Sequence, residues 1–474
     1  MFGIRSIPAY TLTKRDRRFI YSIILPALCE NLITQLFGMV DTIMLGHTPE
    51  SAKAIAAVGM TVSPINIVVC VLSSFCIGTT AAVAWYTGAD ESENARAAAR
   101  QSLVLLSAIG LIVTALALVF ASPIIRFAGA RADTFDDALA YYRIVAAGFF
   151  IQTVTFSVSA SLRGVGITRL PMLYNLLAAG LNVVLNYVLI YGRLGLPAMG
   201  VRGAALATTL SKVPAFLIAL GIMFFGKTPV SCRRGDDYRF TKKIMNRVLR
   251  VGITAALEQV ILQTGALLSN RIAATVPTDD FAANQIAITA ENIGWAPGSA
   301  AGVASATAVG QALGEGRADK ARAMTRLALH LSIAMTAVYD LFLLFGGKWV
   351  ALLFTTELPV ALTAGRVMRL SALVMFGASI HVPTAGSLRG AGDTVSPLVA
   401  SLCSLWLCRV ILGYLLVVVG GFGVMAVRLS CALDQLVRAA IVFFRYLTGR
   451  WARAAAPKPE PGSRAAERVS HVQR

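Results

Sequence analysis

The chain has 474 residues, of which 56% are hydrophobic and only 14% charged, and its mean hydropathy is +0.69. Soluble domains carry about 25% charged residues, so a soluble globular fold is excluded and the chain reads as an integral membrane protein. The formal net charge of +19 does not mark a nucleic-acid binder, because the basic residues sit in short stretches between apolar runs, where positive charge sets orientation.

Residues 1–19 form a basic amino-terminal segment with Arg5, Lys14, Arg15, Arg17 and Arg18, expected on the cytoplasmic side. The apolar run from Phe19 continues past Glu30 to Leu45 without a small-residue cleavage site, which predicts a retained first span rather than a signal peptide. Further apolar segments at 54–87, 98–121, 138–162, 170–191 and 201–225 are each long enough to cross a bilayer core of about 30 Å. These six spans make an amino-terminal lobe, 20–226. Residues 227–250, with Arg233, Arg234, Arg239, Lys242, Lys243, Arg247 and Arg250, read as a cytoplasmic linker. Six more segments follow at 251–275, 282–313, 322–346, 364–388, 395–419 and 424–448, giving a carboxy-terminal lobe, 251–448. The Pro-containing tail, 449–474, is expected to be cytoplasmic and disordered. With an even number of spans both termini share a side, which collects about 29 Lys and Arg residues against about 7 to 10 opposite, as orientation by positive charge requires.

The halves repeat. SLRGVGITRLP at Ser161 to Pro171 returns as SLRGAGDTVSP at Ser387 to Pro397, each copy a polar, glycine-containing turn between two spans. The run around Glu30 aligns without gaps to the run around Glu258, pairing Gln35 with Gln263. Both copies start with a basic segment and contain an even number of spans, so they are parallel repeats, related by a pseudo-two-fold axis along the membrane normal. The fold class is therefore all-α, about twelve transmembrane helices in two six-helix lobes. Repeats of this kind usually move a solute.

The residues that could carry chemistry are polar groups at membrane depth. Asp41, in GMVDTIMLGH, lies near the outer end of the first span; a carboxylate there costs roughly 2.5–3.5 kcal/mol on insertion scales unless it meets a cavity or a partner, although an interfacial aspartate is the bland alternative. Glu30 and Asp41 are separated by three helical turns and share a face at ~16 Å, with Thr34 and Phe37 on the same stripe and Gln35 beside it. In the fifth span Asn175, Asn182 and Asn186 fall on one face, a pattern that also suits hydrogen-bonding glue between helices. Thr208 and Thr209 of the sixth span are expected to join them. Carboxylate, amide and hydroxyl oxygens suit a hard cation such as Na⁺, and a carboxylate shielded from water suits a proton; the residues do not choose. In the second half Ser269 stands opposite Asp41, Cys408 opposite Asn182 and Leu412 opposite Asn186, so the polar set is expected only in the first half. Glu258 and Glu291 are candidates to line a cavity in the second half. Asp434 and Arg438 are spaced to pair, Arg163 and Arg389 to orient helix ends, and His381 to be a core residue. Pro26, Pro64 and Pro297 are expected to bend their helices. The cysteines have no metal-ligand spacing, and Cys29, Cys70, Cys76, Cys403, Cys408 and Cys431 are expected as small core residues.

Taken together, VDTIMLGH, SLRGVGITRLPM, NVVLNYVLIYG and SLRGAGDTVSP on two six-span halves resemble the multidrug and toxic compound extrusion (MATE) family over residues 15–448. The resemblance implies an antiporter of the inner membrane that expels cationic amphipathic compounds in exchange for H⁺ or Na⁺, rocking two lobes about a central cavity, without a cofactor and as a monomer. It matches Asp41 to the coupling carboxylate and Asn182 to an asparagine of the same pocket, with Thr208 alongside. Asn186 stands where some members have an aspartate. Glu258 resembles a glutamate that other members pair with an aspartate in the tenth span, which has no carboxylate here. The runner-up is a lipid-linked oligosaccharide flippase of the wider superfamily; those proteins line their cavity with basic residues, whereas the deep charges here read mainly as carboxylates, with Arg409 the clearest exception. No HExxH, GxSxG or paired intramembrane His and Asp motif supports a membrane-embedded enzyme.

Overall fold

The computed structural model describes residues 10–46, 51–129, 134–193, 195–233, 235–355 and 357–454; residues 39, 41–43, 45, 46, 51–56, 278, 453 and 454 are described by their backbone alone. The rest of the basic amino-terminal segment, His47, Arg234 and the tail after 454 lie outside the described residues.

The described chain is helical almost throughout, because a backbone in hydrocarbon has to satisfy its own hydrogen bonds. In order come α1 (Lys14–Gly46), α2 (Ser51–Gly88), α3 (Ser92–Val119), the short α4 (Ala121–Phe127), α5 (Phe135–Ala147) running into α6 (Phe149–Gly164), α7 (Arg169–Tyr191), and α8 (Gly200–Leu210) running into α9 (Lys212–Phe225). After the linker come α10 (Lys242–Ala273), α11 (Thr278–Gly314), α12 (Ala318–Leu352), α13 (Leu358–Gly390) and α14 (Val395–Ser404). The helix of α14 continues as π-helix over Leu405–Leu412 and Leu415–Val419, and α15 (Gly423–Leu447) and the short α16 (Arg450–Ala454) close the chain. Ten of these rods are long and apolar enough to cross a membrane. α11 and α15 have the same reach but carry Asp279, Asp280 and Glu291, and Arg428, Asp434 and Arg438. With them the described chain has the twelve rods expected from the sequence. α1, α2 and α11 continue through Pro26, Pro64 and Pro297.

The repeated SLRG turns fold identically. Gly166 and Gly392 take the left-handed conformation at φ 89° and 81°, where a side chain would be strained. Gly166 N donates to Arg163 O and Ile167 N to Leu162 O, and Gly392 N donates to Arg389 O and Asp393 N to Leu388 O, the paired bonds of a Schellman helix end.

The helices group into two compact units that do not coincide with the lobes expected from the sequence. The amino-terminal unit is Cys29–Val83 with Ser92–Gly252, and the carboxy-terminal unit is Met1–Leu28, Ala84–Glu91 and Ile253–Arg474. Packing explains the difference. In the carboxy-terminal unit Ile20, Ile23, Ile24 and Ala27 of α1 share a core with Ala300, Ala301, Ala304 and Ala308 of α11 and Met324 and Ala328 of α12. The end of α2 meets α11 so closely that a Cβ on Gly88 would lie 1.9 Å from Gln311 O, and one on Gly314 2.2 Å from Trp85 O. In the amino-terminal unit Leu72, Ile125, Tyr142, Val145 and Phe149 belong to the core around α2, α4, α5 and α6. There the linker is strapped to α3: Arg100 pairs with Asp236 at 2.6 Å, and Gln101 donates to Arg239 O and accepts from Thr241 N. The cysteines depart from expectation: Cys76 and Cys431 are buried, but Cys29 and Cys403 are exposed, which a small apolar side chain on a membrane helix tolerates without penalty.

Backbone atoms at the Gly88 and Gly314 contacts cannot move aside as side chains can. Gly88→Val and Gly314→Val are each expected to destabilise the purified protein by about 1–3 kcal/mol. An unchanged thermal midpoint in detergent would show that the contact gives way.

Candidate functional site

The fifth-span stripe divides between two clusters. Asn182 and Asn186 are buried on α7, one turn apart, and the Asn186 amide donates to Asn182 Oδ1 at 3.4 Å while the Asn182 amide donates to Thr208 Oγ1 at 3.5 Å. Bonds of this length are at the edge of useful geometry. Asn182, Asn186 and Thr208 are therefore brought together, as expected. Thr209 is not part of the cluster: its hydroxyl lies within hydrogen-bonding reach of Ile144 O at 3.1 Å and Ala205 O at 3.0 Å and donates to one or the other, because adjacent helical positions point about 100° apart. Asp41 is in α1 by its backbone, and its side chain lies outside the described residues.

Asn175 belongs with Glu30 instead. Arg163, from the first SLRG turn, donates to Glu30 Oε1 at 2.7 Å and Asn175 donates to the same oxygen at 2.8 Å. The second half repeats this in register: Arg389 donates to Glu258 Oε2 at 2.7 Å and Ser401, opposite Asn175, donates to Glu258 Oε1 at 2.8 Å. Both arginines thus do more than orient helix ends; each neutralises a glutamate, half-buried Glu30 or buried Glu258, that would otherwise be costly. The repeat held the signal, since Arg and Glu recur together, but no spacing rule connects residues that far apart in sequence. The copies differ in one respect: the shorter Ser401 and the arginine take one Glu258 oxygen each, while Glu30 Oε2 is buried without a hydrogen-bond partner. Of the neighbouring candidates, Thr34 is exposed and donates to Glu30 O of its own helix, and Gln35 is exposed.

The expectation that deep charges are mainly carboxylates is corrected in the carboxy-terminal unit. Glu291 is paired with Arg428 at 2.7 Å, and the same guanidinium donates to Asn284 Oδ1 and O. Asp434 pairs with Arg438 at 2.7 Å, both buried, and Arg409 stands 3.8 Å from its other oxygen. Arg438 also donates to Ser404. Four arginines, Arg389, Arg409, Arg428 and Arg438, thus accompany Glu258, Glu291 and Asp434. Their apolar neighbours hide them from a hydropathy count, and only contacts between helices reveal their pairing. Val201-Arg202 and Val427-Arg428 fix a register that places Asp434 opposite Thr208. At one matching position the second half therefore does hold a polar group, the Asp434 carboxylate in place of the Thr208 hydroxyl, whereas Cys408 and Leu412 stand where the first half has its amides, as expected. Ser269, opposite Asp41, touches Cys431 at 3.9 Å. His381 is buried with neither ring nitrogen hydrogen-bonded, and buried Asp340 of α12, which sequence reasoning missed, has no ion pair among the described residues.

If the Glu–Arg pairs are structural, removing one partner is worse than removing both. Arg389→Gln or Glu258→Gln alone is expected to destabilise by about 3–5 kcal/mol, and the double variant by clearly less. A double-variant thermal midpoint no higher than that of the worse single variant would contradict this.

The comparisons with known proteins agree with this architecture. The MatE family profile matches residues 26–188 and 254–415, once in each half. The "Probable multidrug resistance protein NorM" of Thermotoga maritima is 28% identical over 446 residues, covering 93% of this chain and 94% of its own. Among solved structures, one described as the outward-facing conformation of a multidrug resistance MATE family transporter of the MOP superfamily superposes with a TM-score of 0.84 at 24% identity, over 94% of this chain and 99% of its own, a likeness of fold. A MOP superfamily transporter from Pyrococcus furiosus, described as having a binding pocket of reverse polarity that suggests a different function, is 25% identical with a TM-score of 0.85, over 95% of this chain and all of its own. With two helical repeats each matching the same profile, the chain belongs to the MatE family of multi-pass multidrug efflux transporters, and it is a transporter rather than an enzyme.

Proposed function

We propose that the protein is a secondary antiporter of the plasma (inner) membrane, with both termini cytoplasmic, that works as a monomer and exports cationic amphipathic compounds in exchange for H⁺ or Na⁺. Asp41 carries the coupling, with Asn182, Asn186 and Thr208 as its neighbours in the pocket. The observation that supports this most is the cluster itself: Asn182 and Asn186, both buried, and Thr208 bring amide and hydroxyl oxygens together within one half, linked at 3.4 and 3.5 Å, the oxygen donor set that a hard cation takes. A carboxylate that serves both a coupling ion and a cationic drug binds one at the expense of the other, and that competition is the thermodynamic content of antiport. Glu30, with one unengaged buried oxygen, is the second carboxylate of this half and lines the same pathway.

A second reading has support of its own. The arginines of the carboxy-terminal unit remove charge sign as an argument against a cargo with an anionic headgroup, as in the lipid-linked oligosaccharide flippases, and the Pyrococcus furiosus relative is described as having a pocket of reverse polarity. Cation antiport stays ahead because the family profile and the Thermotoga maritima relative both point to multidrug export.

Efflux of a fluorescent organic cation from proteoliposomes under an imposed pH or Na⁺ gradient tests both. Wild type is expected to respond to one gradient, and Asp41→Asn to insert normally yet fall to the rate of empty vesicles. Asn182→Ala and Thr208→Ala should each lose about fivefold, the worth of one hydrogen bond of about 1 kcal/mol. Coupled efflux by Asp41→Asn at the wild-type rate rejects the assignment, and failure of wild type under either gradient favours the anionic cargo.

A further inference from the structure

A cavity of about 460 Å³ lies within the carboxy-terminal unit, between the end of α10 and the π-helical continuation of α14. Its volume falls in the range of about 300–1,000 Å³ typical of small-molecule sites. The wall is aliphatic: Leu268 and Ile272 on one side, Val410, Ile411, Leu415 and Val418 on the other. Polar groups enter it only through Arg271, Thr275 and Tyr414. The Thr275 hydroxyl already donates to Ile272 O, which leaves, among the described residues, Arg271 and Tyr414 as the lining residues with uncommitted polar ends at the border of the space.

Three features give this cavity a function. Arg271 is exposed and has no ion pair among the described residues; neither Asp279 nor Asp280 lies within pairing distance of it. It sits two residues before the end of the span Lys242–Ala273, the depth at which lipid headgroups lie and at which arginine and tyrosine anchor to them. The opposite wall is π-helix over Leu405–Leu412 and Leu415–Val419, whereas its repeat counterpart α7 is α-helical from Arg169 to Tyr191. Wide turns of this kind concentrate at functional sites, and here one borders a space in the half where the symmetry of the repeat is broken. A lone cation at the end of an aliphatic slot is complementary to one kind of molecule, an amphiphile with an anionic head and an alkyl body.

We propose that this cavity binds an acidic membrane lipid, its headgroup held by Arg271 and Tyr414 and one acyl chain lying along the π-helical wall. The site is separate from the coupling residues and does not depend on the identity of the exported compound.

The test is native mass spectrometry of the purified full-length protein with phosphatidylglycerol or phosphatidylcholine added at equal concentration. Wild type is expected to retain the acidic lipid about fivefold better, as one interfacial cation provides. Arg271→Gln should lose that preference and Arg271→Lys keep most of it. Arg369→Gln, which removes an exposed cation elsewhere on α13, should leave it unchanged. Val418→Trp, which fills the slot, should lower retention of both lipids at an unchanged thermal midpoint. Equal retention of the two lipids by wild type, or a preference that survives Arg271→Gln, overturns the proposal. So does an anionic fluorophore that displaces phosphatidylglycerol and is exported in an Arg271-dependent manner, since the cavity would then serve cargo rather than lipid.

Discussion

A carboxylate inside a membrane has to be matched, and the arrangement of this protein follows from how each one is matched. Glu30 and Glu258 each sit midway along the first long helix of a repeat, and each takes its arginine from the turn that ends the repeat's fourth span. That single contact ties the first helix of a half to the hairpin between its fourth and fifth. It also fixes the depth of the turn, because the guanidinium has to reach the carboxylate from a helix end closed by a left-handed glycine. Losing either partner leaves a desolvated charge, so the pair constrains its unit far more strongly than any one apolar contact.

From that shared framework the two halves diverge in the chemistry of their polar groups. In the carboxy-terminal unit the charges are closed on one another: Arg428 spends three donors on Glu291 and Asn284, and Arg438 bridges Asp434 and Ser404. Groups so fully engaged are poor candidates for taking up and releasing an ion. In the amino-terminal unit the polar cluster is built instead of neutral side chains, Asn182, Asn186 and Thr208. Neutral oxygens without a fixed counter-charge suit an exchangeable cation site, since an incoming ion does not have to displace an arginine to reach them.

Much of this was legible in the sequence, for identifiable reasons. Span number, the paired turns and the repeat follow from hydropathy and from glycine in SLRGVG and SLRGAG, which are local signals. The grouping of Asn182, Asn186 and Thr208 followed from helical periodicity on α7 together with the repeat. Arg163 with Glu30 did not, because partners on separate helices leave no periodic trace, and Thr209 was misplaced because adjacent helical positions face different neighbours. The buried arginines were undercounted for a related reason. Arg428 lies among Val427, Leu429 and Ser430, where averaging over a window reports an apolar helix and hides the one charge that needs a partner. The π-helical stretch has no sequence mark at all: Leu405–Leu412 reads like any apolar span, and its widened turn is a property of the packed unit.

The internal repeat allows structural and functional residues to be separated without any other sequence. Positions kept in both halves, Glu30 with Glu258, Arg163 with Arg389, Gly166 with Gly392, form the same contacts in both, so they belong to the fold. Positions that differ, Thr208 against Asp434, Asn182 against Cys408, Asp41 against Ser269, sit within the same framework but offer different chemistry. Asn175 against Ser401 is the instructive intermediate, because both donate to the glutamate, yet the substitution leaves Glu30 with an unengaged oxygen and Glu258 with none. The scaffold therefore tolerates exchange at these sites without losing the pair. Specialisation of one half for coupling needs only that freedom: a framework held by the invariant pair, and polar positions around it that can change one at a time.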